Sequence, residues 1–167
     1  MTSKNSTKRK ITAGEFLVLV QPLLGLPVTR TWRGHGSAIF LEIGELTETT
    51  RQRGDGTKYS IIKGEYTLMI EWSWRVERLR SIWFGSFNTK REIENRLEKL
   101  VGLTIESIGV ECRLPEIVVA LSNKKRVHSF TTSDGQPDWI LFFNNSGIPD
   151  DSRQWIFSHH GHLYLEP

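Results

Sequence analysis

The chain has 167 residues, enough for one domain with a substantial core and cramped for two. Its 38% hydrophobic and 25% charged residues are ordinary globular composition, and no apolar run approaches the roughly 20 residues of a membrane helix. The single cysteine, Cys112, excludes an intrachain disulfide and a thiolate metal cluster, and the net charge of +3 is uneven: Lys4, Lys8, Arg9 and Lys10 carry four positive charges, leaving −1 on residues 11–167.

Residues 1–10 are expected to form a disordered basic tail. They lack the apolar stretch and small-residue cleavage site of a secretory signal, so the expected location is the cytoplasm. Residues 11–167 are expected to form one domain. Thr12 and Glu15 have capping-box spacing, and Phe16, Val20, Leu23 and Leu24 follow on one helical face; Pro22 should kink or end that helix, and Gly25 and Pro27 stop it. A strand follows with Ile39, Leu41 and Ile43 on one side and Ala38, Phe40 and Glu42 on the other, both mostly apolar. Residues 44–64 are polar and suggest a long loop or weak hairpin with Asp55-Gly56 at its apex.

The stretch from Leu68 to Glu77 alternates with period two. Leu68, Ile70, Trp72, Trp74 and Val76 should share one sheet face, with Met69, Glu71, Ser73, Arg75 and Glu77 on the other. A turn near Arg78 leads to a returning strand, SIWFGSF. Thr89 and Glu92 form a second capping box for a helix whose apolar stripe is Ile93, Leu97, Leu100 and Val101, ending at Gly102. Beyond it, LTIESIGV, EIVVALS, RVHSFTT, DWILFF, QWIF and HLYLE alternate with the turn clusters SNKK, SDGQP, NNSG and HHG, the spacing of an antiparallel meander.

Several residues invite a functional reading. Trp72 and Trp74 could stack on bases, but a stacking platform needs cations on the same face, and Arg75 falls on the other. Burying one indole removes about 150–250 Å² from water, worth roughly 4–6 kcal/mol before entropy, so both rings are expected in the core. Trp32, Trp139 and Trp155 lie nearer strand starts. His159, His160 and His162 are the metal candidates, with His35 and His128 as distant additions. A zinc site needs three or four converging ligands, whereas His160-Gly161 resembles the turn of a terminal hairpin, which is the reading preferred.

Arg33-Gly34-His35-Gly36-Ser37 precedes a strand, the wrong order for a phosphate-cradling loop, and reads as a tight bend. Arg53-Gly54-Asp55 is a chance-prone tripeptide. Cys112 has no base nearby in sequence, and no G-x-S-x-G elbow is present. Glu42, Glu71 and Glu116 lie within apolar strand patterns; edge or solvent-facing positions are expected for them in preference to buried ones with shifted pKa.

The blocks RGHGSAIFLEIGEL, GEYTLMIEWSWRVE, LVGLTIESIGVECRLPEIVVALSNKKRVHSFTTSDGQPDWILFF and the terminal W-x-F-x-H-H-G-H-L-Y-L-E resemble a group of small bacterial proteins of uncharacterised activity, similar in layout to short immunity-like domains found beside toxin genes. The resemblance implies no catalytic residue or cofactor.

The expected fold is α+β: a twisted antiparallel sheet, half-barrel or two-layer, with one or two short helices packed on it and the helix near 89–101 covering one face. The expected function is non-catalytic binding of another protein, with a toxin-immunity or conflict-system component as the concrete form. Two alternatives stand beside it: a nucleic-acid-binding module using the basic tail with Arg30, Arg33, Arg51 and Arg53, and a metal-dependent enzyme using His159, His160 or His162. No cofactor and no membrane partner are expected, and the oligomeric state stays open.

Overall fold

The computed structural model describes residues 8–133, 136–144 and 154–167. Fourteen strands and two short helices appear among them. In chain order they are β1 (Arg9–Ile11), α1 (Ala13–Val20), β2 (Val28–Arg33), β3 (Ile39–Ile43), β4 (Thr47–Gln52), β5 (Lys58–Lys63), β6 (Tyr66–Ile70), β7 (Trp74–Arg78), β8 (Ser81–Gly85), α2 (Lys90–Leu97), β9 (Ile105–Glu111), β10 (Glu116–Leu121), β11 (Lys125–Ser129), β12 (Trp139–Phe143), β13 (Gln154–His159) and β14 (His162–Glu166).

All named pairings are antiparallel. They form a seven-stranded sheet in the order β1-β14-β13-β12-β6-β3-β2, a five-stranded sheet in the order β8-β7-β11-β10-β9, and the separate hairpin β4-β5. The α+β layout expected from the sequence is present. One core draws on both sheets and both helices, from Leu41, Leu68 and Ile156 in the larger sheet to Val76, Val119 and Val127 in the smaller, with Phe16, Leu23, Ile93 and Leu97 from the helices.

Both helices start as their sequences dictate. Thr12 and Thr89 each accept the backbone N–H of the glutamate three residues on, and Glu15 and Glu92 reach back to the cap N–H groups. Each ends in a short 3₁₀ turn, Gln21–Leu23 at Pro22 and Glu98–Leu100 before Gly102, whose φ of 88° is the left-handed conformation a helix stop favours. α1 lies against β9, and α2 packs against β2 and β8. β2 and β8 are edge strands of different sheets, so α2 contacts an edge strand of each.

Three expectations are corrected. The basic tail is not disordered to residue 10, because Arg9 and Lys10 pair with Leu165 and Tyr164 as part of β1; residues 1–7, including Lys4, lie outside the described residues. The period-two run from Leu68 to Val76 is two strands in two sheets, and the chain crosses between them at Glu71–Ser73. The crossing breaks the alternation: Trp74 is buried and donates its indole N–H to the Ser37 carbonyl at 2.7 Å, whereas Trp72 is 56% exposed and lies edge-on to Phe87. Finally, Glu42 and Glu116 are buried and only Glu71 is exposed.

The hairpin at 44–64 forms, with its turn closed by Gly56 N–H to the Arg53 carbonyl and Thr57 N–H to the Asp55 carboxylate. The terminal strands also form where expected. Parts of the SDGQP and NNSG turns, residues 134–135 and 145–147, lie outside the described residues.

Candidate binding face on the seven-stranded sheet

Residues directly opposite in neighbouring strands point to the same side of a sheet. In the seven-stranded sheet the inward side carries Ile39, Leu41, Leu68, Ile70, Leu141 and Ile156, all at most 2% exposed. The opposite side is therefore the outer face, and the register assigns its residues. One row crosses all seven strands: Trp32, Phe40, Met69, Ile140, Phe157, Tyr164 and Lys10. At a strand spacing near 4.8 Å it is roughly 30 Å long.

Six of those seven side chains are apolar or aromatic. Phe157 is buried, Phe40, Met69, Ile140 and Tyr164 are half-buried, and Trp32 is 37% exposed. The adjacent row reads Arg30, Glu42, Thr67, Phe142, Trp155 and Glu166, adding two more large rings. The rings support one another. Trp32 stacks on Phe40 with centroids 3.6 Å apart, Phe157 on Tyr164 at 5.6 Å, and Phe142 lies 6.4 Å from Trp155. Lys8 places its ammonium 4.9 Å from the Tyr164 ring centre, a cation–π contact at the β1 edge. A trace of this arrangement exists in the sequence: DWILFF and QWIF are apolar at both parities, so both faces of these strands carry large apolar side chains.

At the β2 end the outer face meets the β4-β5 hairpin in a cleft of about 230 Å³, lined by Arg30, Trp32, Glu42 and Ser60–Lys63. Its floor is Glu42. Oε2 accepts the Gly64 N–H at 2.9 Å and the Thr67 hydroxyl at 2.6 Å, while Oε1 accepts the Trp32 indole N–H at 3.3 Å. Gly64 is required for this approach, since a Cβ there would lie 2.5 Å from the Ile43 carbonyl oxygen. Asn144 completes the network by donating to Thr67 Oγ1 at 2.6 Å and to the Gly64 carbonyl at 3.2 Å. Arg30 stands opposite Glu42 in the register yet sends its guanidinium to the Ile62 carbonyl at 3.3 Å.

Glu116 has a different role. Its carboxylate accepts the Ser129 hydroxyl at 2.7 Å and the Thr131 N–H at 2.5 Å, and the Thr131 hydroxyl donates to Asp138 at 2.8 Å. That chain ties β10 and β11 to the entry of β12. Because every link is internal to the fold, the arrangement is structural.

The other residues singled out from the sequence are dispersed. His160 and Gly161 form the β13-β14 turn, with His160 at φ 47°, and the rings of His159 and His160 are 3.9 Å apart. Among the described residues no group of three His, Cys, Asp or Glu side chains comes together that could hold a metal ion. His128 lies on β11 with Nδ1 3.4 Å from Arg75, and His35 is in the exposed bend between β2 and β3. Arg33 bonds the Gly34 and Gly36 carbonyls and pairs with Glu94 at 3.0 Å, holding that bend closed. Arg53 lies over Tyr59 at the tip of the β4-β5 hairpin. Of the four arginines proposed for nucleic acid, only Arg30 lines the cleft. Cys112 is exposed in the β9-β10 turn with φ 70°.

No helix among the described residues is long and apolar enough to cross a membrane. Comparison with known proteins finds no matching family model, no matching curated protein and no matching solved structure.

Proposed function

We propose that this chain is a non-catalytic protein-binding domain that works through the outer face of its seven-stranded sheet. The observation that carries this reading is the row from Trp32 to Tyr164, in which Trp32 is exposed and Phe40, Met69, Ile140 and Tyr164 are half-buried on the side of the sheet opposite the core. A contiguous apolar surface of this kind is costly to keep solvated and is the usual mark of an interaction site. Its aromatic content suits interface anchors, in which tryptophan and tyrosine carry a disproportionate share of binding energy.

The rim sets the partner's chemistry. Lys8 and Lys10 flank the row at the β1 edge and Arg30 flanks it at the β2 edge, so the matching surface is a folded protein with an apolar patch bordered by acidic residues. In this reading the two sheets face one another as layers and the exposed side of the larger is the working surface. Immunity to a bacterial toxin, or another conflict-system role, is the concrete form, in which tight stoichiometric binding replaces chemistry.

The test is a calorimetric titration against the purified product of each gene neighbouring its own, using the wild type and the double variant Met69→Gln with Ile140→Thr. Stoichiometric binding by the wild type, weakened at least tenfold in the variant, supports the reading. Binding that the variant leaves unchanged, or no complex with any neighbour product, contradicts it.

A further inference from the structure

The cleft between Trp32 and the β4-β5 hairpin has chemistry that an apolar protein surface does not require. We propose that it binds a single nucleotide unit, with the base stacked on Trp32, an N–H of the base donated to Glu42, and the phosphate held at the mouth by Arg30. This inference does not depend on the protein-binding reading, and either can fail alone.

The floor comes first. A carboxylate oxygen can accept about two hydrogen bonds. Among the described residues, Glu42 Oε2 has both, from Gly64 and Thr67, whereas Oε1 has one long bond from the Trp32 indole. Glu42 is 1% exposed and lines the cleft, so Oε1 is a desolvated acceptor with room for one more donor. A ligand reaching it must present an N–H or O–H at its inner end, because an acceptor there would face a carboxylate.

The wall comes next. Phe40 lies parallel to one face of the Trp32 indole, 4° from coplanar, which fixes the ring, and the indole lines the cleft. An immobilised indole face is a platform for a flat ring, and stacking of a base on an aromatic side chain is worth about 1–3 kcal/mol. The volume, about 230 Å³, suits one base and little more.

The mouth decides the ligand's other end. Arg30 uses one of its five donors on the Ile62 carbonyl, at 3.3 Å, and Lys63 lines the same opening. The Arg30 guanidinium disfavours a purely cationic ligand, such as a partner's arginine. The carboxylate floor disfavours a purely anionic one, such as inorganic phosphate alone. A donor-bearing flat head with an anionic tail satisfies all three walls, and a nucleotide is that ligand. The same chemistry is offered by a free mononucleotide and by one residue of a single strand.

Occupancy would also clamp the hairpin. β4 and β5 form a two-stranded arm outside both sheets, an arrangement that is marginal unaided. Its ties to the body include Arg30 to Ile62, and a ligand seated between Arg30, Glu42 and the β5 lining of the cleft adds to them.

The experiment is a tryptophan-fluorescence and calorimetric titration of the full chain with GMP, AMP, CMP and UMP, with guanosine and inorganic phosphate as partial ligands, and with a hexameric single-stranded RNA. At least one mononucleotide is expected to bind below millimolar concentration, at least tenfold more tightly than guanosine or phosphate. Arg30→Gln, at an exposed position, is expected to weaken it about tenfold and to abolish the preference over the nucleoside; Trp32→Leu should weaken nucleotide and nucleoside alike. Amide exchange in Thr47–Lys63 should slow on binding. Equal affinity per nucleotide for hexamer and monomer assigns the free nucleotide, and much tighter hexamer binding assigns the strand. No mononucleotide or hexamer binding at millimolar concentration, or binding unchanged in both variants, overturns the proposal.

Discussion

Arg75 holds its guanidinium 3.4 Å from His128 Nδ1, on neighbouring strands of the five-stranded sheet where the two residues are directly opposite. The other ring nitrogen, Nε2, is buried without a hydrogen-bond partner. Burial holds the His128 pKa below its ordinary value, and the Arg75 charge lowers it further, against smaller opposing effects from Glu111 and Glu77. Since the folded pKa is depressed, the unfolded chain binds the proton more readily. The associated stability is present above the unfolded value near 6.5 and is lost as pH falls through the folded pKa. Denaturant midpoints measured from pH 8 to pH 5 should decline below pH 6.5, with at most about 1.4 kcal/mol per pH unit from this group. His128→Gln should flatten that part of the profile, and an unchanged decline would assign it elsewhere.

Trp74 and Trp72 should respond differently to truncation. Trp74 is 1% exposed, lies edge-on to Phe84 and donates to Ser37, so Trp74→Leu should cost about 3 kcal/mol through lost packing and an unpaired carbonyl. Trp72→Leu, at the exposed crossing between sheets, should stay within about 1 kcal/mol of the wild type. Paired urea unfolding curves decide it, and equal losses would contradict the two environments.

Glu42→Ala removes the acceptor for the Gly64 N–H, the Thr67 hydroxyl and the Trp32 indole together. Leaving such buried donors unpaired should cost about 3 kcal/mol. Because Gly64 leads out of β5, amide exchange in Lys58–Lys63 should rise more than in the five-stranded sheet. Uniform acceleration across both sheets would show that the network does not anchor the hairpin.

Thr89→Ala should destabilise by about 1 kcal/mol, the ordinary cost of losing an N-cap hydroxyl. Thr89→Ser should restore most of it. Thermal melts of the two variants provide the comparison.

What the sequence makes legible here is what short stretches decide. Thr12 with Glu15 and Thr89 with Glu92 form their capping boxes within four residues, and Gly102 and the Asp55-Gly56 turn act as locally. The terminal strands follow from alternation between turn clusters. Trp72 fails because alternation continues across Glu71–Ser73 in the sequence while the chain there passes from one sheet to the other, a tertiary event that no local period records. Glu42 looks like an edge residue until β6 and the 64–67 turn bring donors from 22 and 25 residues away. The outer row is hidden for the same reason: Trp32, Met69, Ile140 and Tyr164 come together only through the strand order, although apolar residues at both parities of DWILFF already require something beyond a single buried face.

Met69 lies at the middle of that row and is half-buried, which allows a direct test of the binding face. Peroxide oxidation of Met69, followed by mass spectrometry of the free chain and of the chain saturated with the neighbouring gene product that binds it, reads the face itself. Ready oxidation in the free protein, slowed at least tenfold in the complex, is the expected result. An oxidation rate at Met69 that is the same with and without the bound partner would contradict the account.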